Sequence, residues 1–246
     1  FEQKAAELCG TKYCVALNSG TDALALGMVA LGVQAGDEVI TPPNSFIAST
    51  AAIVNLRAKP VFVDVLPDQN IDPAKIQRAI TSKTKAIMPV HLTGRVANMT
   101  DVLEIADRHN IPVIEDAAQS IGSQFSGQPS GSFGKIGCFS AHPLKNLNAC
   151  GDAGFLTTDN TDIAKQVQMS RNHGLADRNT VKKFGVVSRM DTLQAAILVY
   201  RLSHLTQTIE RRRNNAALYK SLLDLSKVYI PEELEEEFNT YHTFVI

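Results

Sequence analysis

The sequence predicts an α/β protein with a mostly parallel sheet and helices on both faces, a three-layer α/β/α architecture. Short apolar runs of strand length alternate with longer segments of helical periodicity along most of the 246 residues. Parallel strands need crossover helices of this kind, and those helices cover both faces of the sheet. With 44% hydrophobic and 20% charged residues, the chain is long enough and apolar enough for one large core.

The predicted elements follow the strand-then-helix order that this architecture requires. Proline and glycine mark several boundaries, as at Gly10, which suits a helix C-cap, and at Pro42–Pro43 after a strand. The predicted strands are 13–17, 38–41, 60–65, 85–90, 112–114 and 136–140, and the predicted helices are 1–9, 23–31, 47–56, 73–80, 100–109, 160–169 and most of 190–225.

The turn after the first predicted strand suits a phosphate group. Residues 18–22 pass directly from that strand into an apolar helix, so the turn presents free backbone N–H groups at the positive end of a helix dipole. The hydroxyls of Ser19 and Thr21 add further donors. A plain capping box between Ser19 and Asp22 explains the same residues equally well, and the turn alone does not decide between them.

Two neighbouring apolar runs end at an acid and at a lysine. Residues 112–114 form a buried strand that opens into Asp116, and Gln119 follows on the same edge. Residues 136–140 form the next strand, and Lys145 lies just beyond its end. Ligands bind at the carboxyl edge of parallel sheets, so this stretch is the candidate active site.

Taken singly, the acid and the lysine have ordinary explanations. Asp116 would serve as a helix cap and Lys145 as a solvated loop residue. Together they have the chemistry that pyridoxal phosphate (PLP) needs. A lysine near an apolar sheet edge forms a Schiff base with an aldehyde, and a buried carboxylate opposite keeps a pyridine nitrogen protonated.

Six motifs span nearly the whole chain: NSGTDALAL (18–26), VIEDAAQS (113–120), FSAHPLKNL (139–147), GDAG (151–154), RNHG (171–174) and SRMDTLQAA (188–196). This series resembles the DegT/StrS group of sugar-nucleotide aminotransferases, which are fold-type I PLP enzymes. The resemblance implies the large domain of that fold. It also implies a PLP-dependent aminotransferase that transfers an amino group, from glutamate by analogy, to a keto sugar linked to a nucleotide.

The resemblance assigns most of the cofactor contacts. Gly20, Thr21 and Ser140 would bind the cofactor phosphate. Lys145 would form the internal aldimine and carry protons during catalysis, and Asp116 would hold the protonated pyridine nitrogen. A related branch of the family that performs dehydration carries histidine in place of the lysine, so Lys145 favours transamination.

Three further roles also come from the resemblance. Phe46 would stack on the pyridine ring, where the alternative is a core-filling side chain. Gln119 would support the cofactor hydroxyl. Asn172 would reach the phosphate of a neighbouring subunit and so implies a homodimer, where the alternative is an ordinary loop asparagine. His91 and His142 are interpreted as a structural loop residue and a packing residue, without a catalytic role.

Composition argues against several other partners. A formal net charge of −1 gives no electrostatic reason to expect nucleic acid or an anionic membrane. No apolar run reaches membrane-spanning length, and the N-terminus has no signal-peptide pattern. The four cysteines form no CxxC pair, which favours reduced, buried thiols over disulfides or a metal site. We therefore expect a cytoplasmic protein without a metal.

The ends of the chain suggest how the domains divide. We expect a PLP-binding large domain over 1–226, and over 227–246 the truncated start of a smaller C-terminal domain that is largely missing. Residues 241–246 are predicted as a strand. The Gly/Ser-rich segment 122–135 is predicted as a mobile loop.

Two alternative functions remain at this stage. One is a PLP-binding regulatory or scaffolding protein that has kept the fold without turnover. The other is a nucleotide-binding dehydrogenase, which requires a G-x-G-x-x-G turn after the first strand. Residues 18–21 supply only Asn-Ser-Gly-Thr at that place.

Overall fold

The computed structural model describes residues 1–246. The helices are α1 Glu2–Cys9, α2 Gly20–Ala30, α3 Ile47–Asn55, α4 Pro73–Ala79, α5 Met99–Arg108, α6 Thr161–Ser170, α7 Thr192–Leu202 and α8 Leu205–Leu222. The strands are β1 Tyr13–Leu17, β2 Glu38–Thr41, β3 Lys59–Phe62, β4 Thr84–Ile87, β5 Ile114–Asp116, β6 Gln124–Phe125, β7 Gln128–Pro129, β8 Ile136–Ser140, β9 Gly154–Thr158, β10 Leu175–Asp177, β11 Thr180–Val181 and β12 Glu237–Phe238.

The central sheet is mostly parallel, as the sequence predicts. Four strands pair in the order β1-β9-β8-β5, and three more in the order β3-β2-β4. Parallel bridges from Ile87 to Val113 and from Val90 to Asp116 join the two groups through β4 and β5. Only β9 runs antiparallel to both of its neighbours. The strand and helix order therefore gives the α/β architecture of the prediction.

Neighbouring residues of the sheet face two separate apolar cores. Cys138 and Leu156 pack with the side chains of α2, α3 and α6, whereas Phe139 and Phe155 pack with those of α1, α7 and α8. Successive side chains of a strand point to opposite faces, so these two cores lie on opposite sides of the sheet. Helices therefore cover both faces and complete the three layers.

The helix predicted over most of 190–225 is two helices. The helix is interrupted between α7 and α8 at Ser203 and His204, where the Ser203 Oγ donates to the carbonyl of Tyr200 at 2.7 Å. The His204 Nδ1 lies 3.0 Å from the same carbonyl. Side chains that bond locally in this way compete with the helical hydrogen-bond pattern. The break lets Leu205 of α8 enter the core.

The segment 122–135 is not the mobile loop that its composition predicts. It contains the short hairpin β6–β7, and its backbone is bound to a buried acid. The N–H groups of Gly131, Phe133 and Gly134 donate to the carboxylate of Glu115 at 2.7 to 2.8 Å. Glycine content alone does not show that an acid from the next strand will order such a segment.

Glu115 is fully buried and has one further partner. The Nε2 of His91 lies 2.9 Å from its carboxylate. The His91 Nδ1 accepts the N–H of Ala97, so Nε2 carries the proton that it shares with Glu115. This geometry confirms the structural interpretation of His91. The bonds of His91 and Glu115 connect β5 with residues 91 and 97 and with the segment 122–135.

The last residues of the chain do not form the predicted strand. Residues 241–246 are irregular, and Tyr241 has a positive φ of 47°. Arg212 of α8 donates to the backbone carbonyls of Tyr241 and His242, at 3.3 and 2.9 Å. These bonds hold residues 241 and 242 against α8 in an irregular conformation.

The residues just before the end pack on the rest of the chain. β12 pairs with β6, and the N–H of Thr240 donates to the carbonyl of Gly94 at 2.9 Å. The side-chain amide of Asn146 donates to the carbonyl of Thr240 at 3.3 Å. Residues 237–242 are thus attached to the body of the fold, and the domain division at 226 stays a prediction.

All four cysteines are free thiols, as predicted. Cys9, Cys14 and Cys138 are buried, but Cys150 is exposed, so the expectation of burial is wrong for that residue. Cys150 lies in the loop before β9, where its N–H donates to the side chain of Gln194. None of the helices combines the length and the apolar character that crossing a membrane requires.

We predict that Glu115→Gln lowers the free energy of unfolding by about 3 kcal/mol, because an amide NH₂ then faces buried N–H donors. Urea denaturation measures the loss. The control is Glu104→Gln, which changes an exposed acid on α5 and should alter stability by less than about 0.5 kcal/mol. Equal losses in the two variants would contradict the anchoring role of Glu115.

Candidate active site

A cavity of about 400 Å³ opens where β5 and β8 end. The structure brings to this one cavity almost all of the residues that the sequence predicts for the site. Cavities of this size hold small ligands and cofactors. The predicted residues that line it are Gly20, Thr21, Phe46, Asp116, Gln119, Ser140 and Lys145.

Asp116 is the last residue of β5 and is buried beneath the cavity, with only 4% of its surface exposed. Its Oδ2 accepts from the Oγ of Ser49 at 2.6 Å, and its Oδ1 accepts from the N–H of Ala118 at 3.2 Å. Burial raises the pKa of Asp116, and these two hydrogen bonds and the charge of Lys145 act against that rise. The carboxyl group is fixed by two donors and still faces the cavity.

Lys145 follows β8 in a loop that the structure holds at both sides. Its own N–H donates to the carbonyl of His142 at 2.8 Å, and the next residue, Asn146, is buried and bonded to Thr240. Burial lowers the pKa of Lys145, and the charge of Asp116 partly opposes that effect. A lowered pKa leaves more of the amine neutral at a given pH, which is the nucleophilic form.

The N-terminus of α2 forms one end of the cavity. The Ser19 Oγ accepts the N–H of Asp22 at 3.1 Å, so the capping interaction considered from the sequence is present. This interaction uses only the N–H of Asp22, the third of the helix. The N–H groups of Gly20 and Thr21 have no partner within the helix, and both residues line the cavity. Capping and anion binding are therefore compatible here.

Gly20 also allows a close approach between α2 and β8. A Cβ atom at position 20 would lie 2.8 Å from the Cβ of Ser140, which is closer than such atoms come in proteins. The absence of a side chain lets Ser140, at the end of β8, sit directly against the first turn of α2. The Ser140 hydroxyl and the helix N-terminus therefore face the same end of the cavity.

Phe46 is not a core residue. It precedes α3 and is 70% exposed while lining the cavity, which rules out the core-filling alternative. Gln119 is oriented by its amide oxygen, which accepts the N–H of Thr93 at 2.8 Å. This bond leaves the amide nitrogen of Gln119 free to donate to a ligand.

Asn172 does not line this cavity. It lies beyond α6, beside Arg171 and Arg189, in a second surface cleft. The Arg189 guanidinium donates to the Asn172 Oδ1 at 3.3 Å. Of the predicted site residues, Asn172 alone is apart from the others within one chain.

His242 lines the cavity, although no sequence pattern predicts it there. Its Nδ1 is buried without a hydrogen-bond partner. Burial, together with the charges of Lys145 and Arg212, lowers the pKa of His242 to about 4, so its imidazole is neutral at pH 7. Hydrogen bonds from Arg212 to the His242 carbonyl and from Asn146 to the Thr240 carbonyl bring position 242 beside position 145. These contacts join distant parts of the chain, so no sequence pattern predicts them.

Ser49 and His142 also line the cavity. The sequence does not single out Ser49, because a serine near the start of a helix is an ordinary polar residue. His142 is exposed, and its Nδ1 accepts the N–H of Leu144 at 3.3 Å, so the expectation that it packs in the interior is wrong. The proline that follows it keeps the loop extended at the surface.

The whole chain, residues 1–246, matches the model of the DegT/DnrJ/EryC1/StrS aminotransferase family. The protein belongs to this family. The resemblance drawn from the motifs is thereby confirmed.

Several characterised proteins are similar to this DegT/DnrJ/EryC1/StrS member. A dTDP-3-amino-3,6-dideoxy-alpha-D-galactopyranose transaminase of Aneurinibacillus thermoaerophilus is 43% identical over 249 residues, which cover 100% of this chain and 68% of the relative. A pleiotropic regulatory protein of Geobacillus stearothermophilus is 41% identical over 239 residues, 96% of this chain and 64% of the relative. The chain thus spans about two thirds of the length of these relatives.

Solved structures of the family superpose closely. DesV of S. venezuelae, in complex with a ketimine intermediate, has a TM-score of 0.94 at 38% identity over 99% of this chain and 66% of that one. NtdA of Bacillus subtilis, with bound cofactor PMP, has a TM-score of 0.91 at 39% identity over 99% of this chain and 56% of that one. These likenesses confirm the predicted fold.

We predict that Asp116→Asn lowers the pKa of Lys145 further, because the acid is the group that opposes the effect of burial. More of the amine is then neutral at each pH, so Lys145 reacts faster with an acylating reagent. Labelling of the cofactor-free protein across a pH series, read by peptide mass spectrometry, measures the change.

Asp107→Asn, at an exposed position on α5, is the matched control and should leave the labelling of Lys145 unchanged. A labelling profile that stays in place or moves to higher pH in Asp116→Asn would show that the two groups do not interact.

Proposed function

We propose that the protein is a PLP-dependent aminotransferase that converts a keto group on a nucleotide-linked sugar to an amine, with glutamate as the amino donor. The observation that carries the proposal is the placement of Lys145 and Asp116 in one cavity that ends at a helix N-terminus. The names of the relatives support the substrate class, because several are transaminases or aminotransferases of dTDP- or UDP-linked sugars.

The residues of the cavity fit the cofactor. Asp116 would hold the pyridine nitrogen, and Phe46 would cover one face of the ring. Gly20, Thr21 and Ser140 would bind the phosphate at the N-terminus of α2, and Gln119 would donate from its free amide nitrogen to the ring hydroxyl. When bound, PLP supplies an aldehyde that condenses with amines and a ring that accepts electron density from the reacting carbon.

Lys145 would work as nucleophile and as proton carrier. Its Nζ is partly buried and its pKa is lowered, so the neutral amine is available to attack a carbonyl carbon. Once displaced by the amino donor, the same nitrogen can take a proton from the α-carbon of the donor. The resulting ammonium can then return that proton to another atom in the cavity.

Asp116 would set the charge of the ring nitrogen. A buried carboxylate opposite a pyridine N–H⁺ forms a charge-assisted hydrogen bond, which is stronger in a dry site than in water. The bond keeps the nitrogen protonated, and a protonated ring withdraws electrons more effectively from the reacting carbon.

The active unit would be a homodimer in which Asn172 of one chain reaches the phosphate site of the other. Asn172 lies outside its own chain's cavity, near a surface rich in exposed apolar side chains. A second copy of the chain would bury this surface. The exposed side chains are Val181, Phe184, Val186, Val187 and Leu193.

A cytoplasmic location is part of the same proposal. The four thiols are unpaired, and no two of them form a disulfide. Free thiols persist in the reducing compartment where nucleotide-linked sugars would be used as substrates.

We predict that Lys145→Ala lowers turnover by at least about 10³-fold, because the substitution removes both the nucleophile and the proton carrier. The assay incubates the intact protein with PLP, ¹⁵N-labelled glutamate and a panel of nucleotide-linked keto sugars. Mass spectrometry reads incorporation of the label into the sugar.

Lys83→Ala, a surface lysine in the turn before β4, is the matched control and should keep full turnover. Wild-type protein that binds PLP but transfers no label from any amine donor would contradict the proposal. So would a Lys145→Ala protein with undiminished turnover.

We predict that two impaired variants restore activity when they share a dimer. Asn172→Asp places a negative charge beside the cofactor phosphate of the neighbouring chain, so this variant should be strongly impaired. In a hybrid with Lys145→Ala, one of the two sites has an intact lysine and an intact asparagine. The purified hybrid should then have about half of wild-type activity, because one of its two sites is intact.

Co-expression of the two variants with different affinity tags, followed by tandem purification and assay, measures the recovery. If Asn172 served its own chain, each site of the hybrid would carry a defect and no activity would return. A chain that remains monomeric would also exclude the shared site.

A further inference from the structure

The buried hydroxyl of Ser49 is hydrogen-bonded to Asp116. Ser49 lies in the first turn of α3 and is 1% exposed. Its Oγ donates to the Asp116 Oδ2 at 2.6 Å, the shorter of the two hydrogen bonds that the carboxyl group accepts. Ser49 also borders the cavity, so this hydrogen bond lies at the floor of the site.

We propose that Ser49 is a positioning residue that keeps Asp116 charged and aimed at the pyridine nitrogen of the cofactor. This inference rests on the proposed function. The Ser49 hydroxyl donates to Asp116, and the role proposed for it is exerted through that hydrogen bond.

The geometry fixes the carboxyl group completely. The Asp116 N–H donates to the carbonyl of Pro89 at 2.9 Å, and its carbonyl accepts the N–H of His91 at 3.0 Å, so the backbone cannot shift. Ser49 holds one oxygen of the side chain, and the N–H of Ala118 holds the other. Each oxygen keeps a further lone pair, which leaves acceptor capacity for one ring N–H.

The surroundings explain why a second donor is needed. Burial favours the neutral acid, and the charge of Lys145 favours the carboxylate. Glu115 on the same strand is acidic, and the pKa of the nearby Cys138 thiol is raised well above its ordinary value, so that thiol is neutral. Without the Ser49 hydroxyl, the pKa of Asp116 would be higher, so the acid would hold its proton to higher pH and would accept a charged ring N–H less readily.

The test begins with Ser49→Ala in the intact protein. Loss of a hydrogen bond to a charged group should weaken PLP binding about tenfold or more. The acid limb of the binding curve should move to higher pH, because the Asp116 pKa rises when its donor is removed. Titration of the ¹³C-labelled Asp116 carboxyl by NMR, in cofactor-free protein, reads that rise directly.

Two further variants separate positioning from general damage to the fold. Ser49→Thr keeps the hydroxyl and should restore both PLP affinity and the carboxyl titration. Thr50→Ala removes a hydroxyl from the next position of α3, outside the cavity lining, and should match wild type. Thermal unfolding of each cofactor-free variant checks that the fold is retained.

An unchanged PLP affinity and an unchanged carboxyl titration in Ser49→Ala would overturn the inference and leave the proposed function intact. Equal losses in Ser49→Ala and Ser49→Thr would also overturn it, since the hydroxyl would then not be the cause. Wild-type protein that binds no PLP would overturn the proposed function, and the role of Ser49 toward the cofactor with it.

Discussion

The parallel pairing of β5 with β8 is the constraint on which the rest of the site depends. Asp116 pairs in register with Cys138, and β8 runs on to Ser140 before the chain turns toward Lys145. Because both strands end at the same edge, the acid and the lysine meet although they are far apart in sequence. The N-terminus of α2 reaches the same edge because Gly20 permits contact with Ser140.

Glu115 and Asp116 are neighbours in β5, and their side chains point to opposite faces of the strand, so they have different partners. Glu115 faces the hairpin segment, where three N–H groups and His91 use up its acceptor capacity. Asp116 faces the cavity, where Ser49 and Ala118 leave part of its capacity open. A buried carboxylate needs donors to remain charged, and the number of donors distinguishes the acid that is fully bonded within the fold from the acid that faces the cavity.

The sequence predicted what depends on local pattern and motif. The alternation of strands and helices, the turn before α2, and the edge that carries Asp116, Gln119 and Lys145 all follow from periodicity and from family motifs. What it missed depends on contacts between distant residues. His242 reaches the cavity through Arg212 and Asn146, and the hairpin segment is ordered by an acid on another strand. One miss is local: the break between α7 and α8 comes from a hydrogen bond of Ser203 to the preceding turn, which competes with the helix.

The proposed function requires a covalent link between Lys145 and PLP, and borohydride would trap such a link. The most direct measurement is reduction of the PLP-loaded protein with borohydride, proteolysis, and mass spectrometry of every lysine-containing peptide. The account predicts a single pyridoxyl group on the Nζ of Lys145, and none when the lysine is absent. A pyridoxyl group on a different lysine, or none in the wild-type protein, would contradict it.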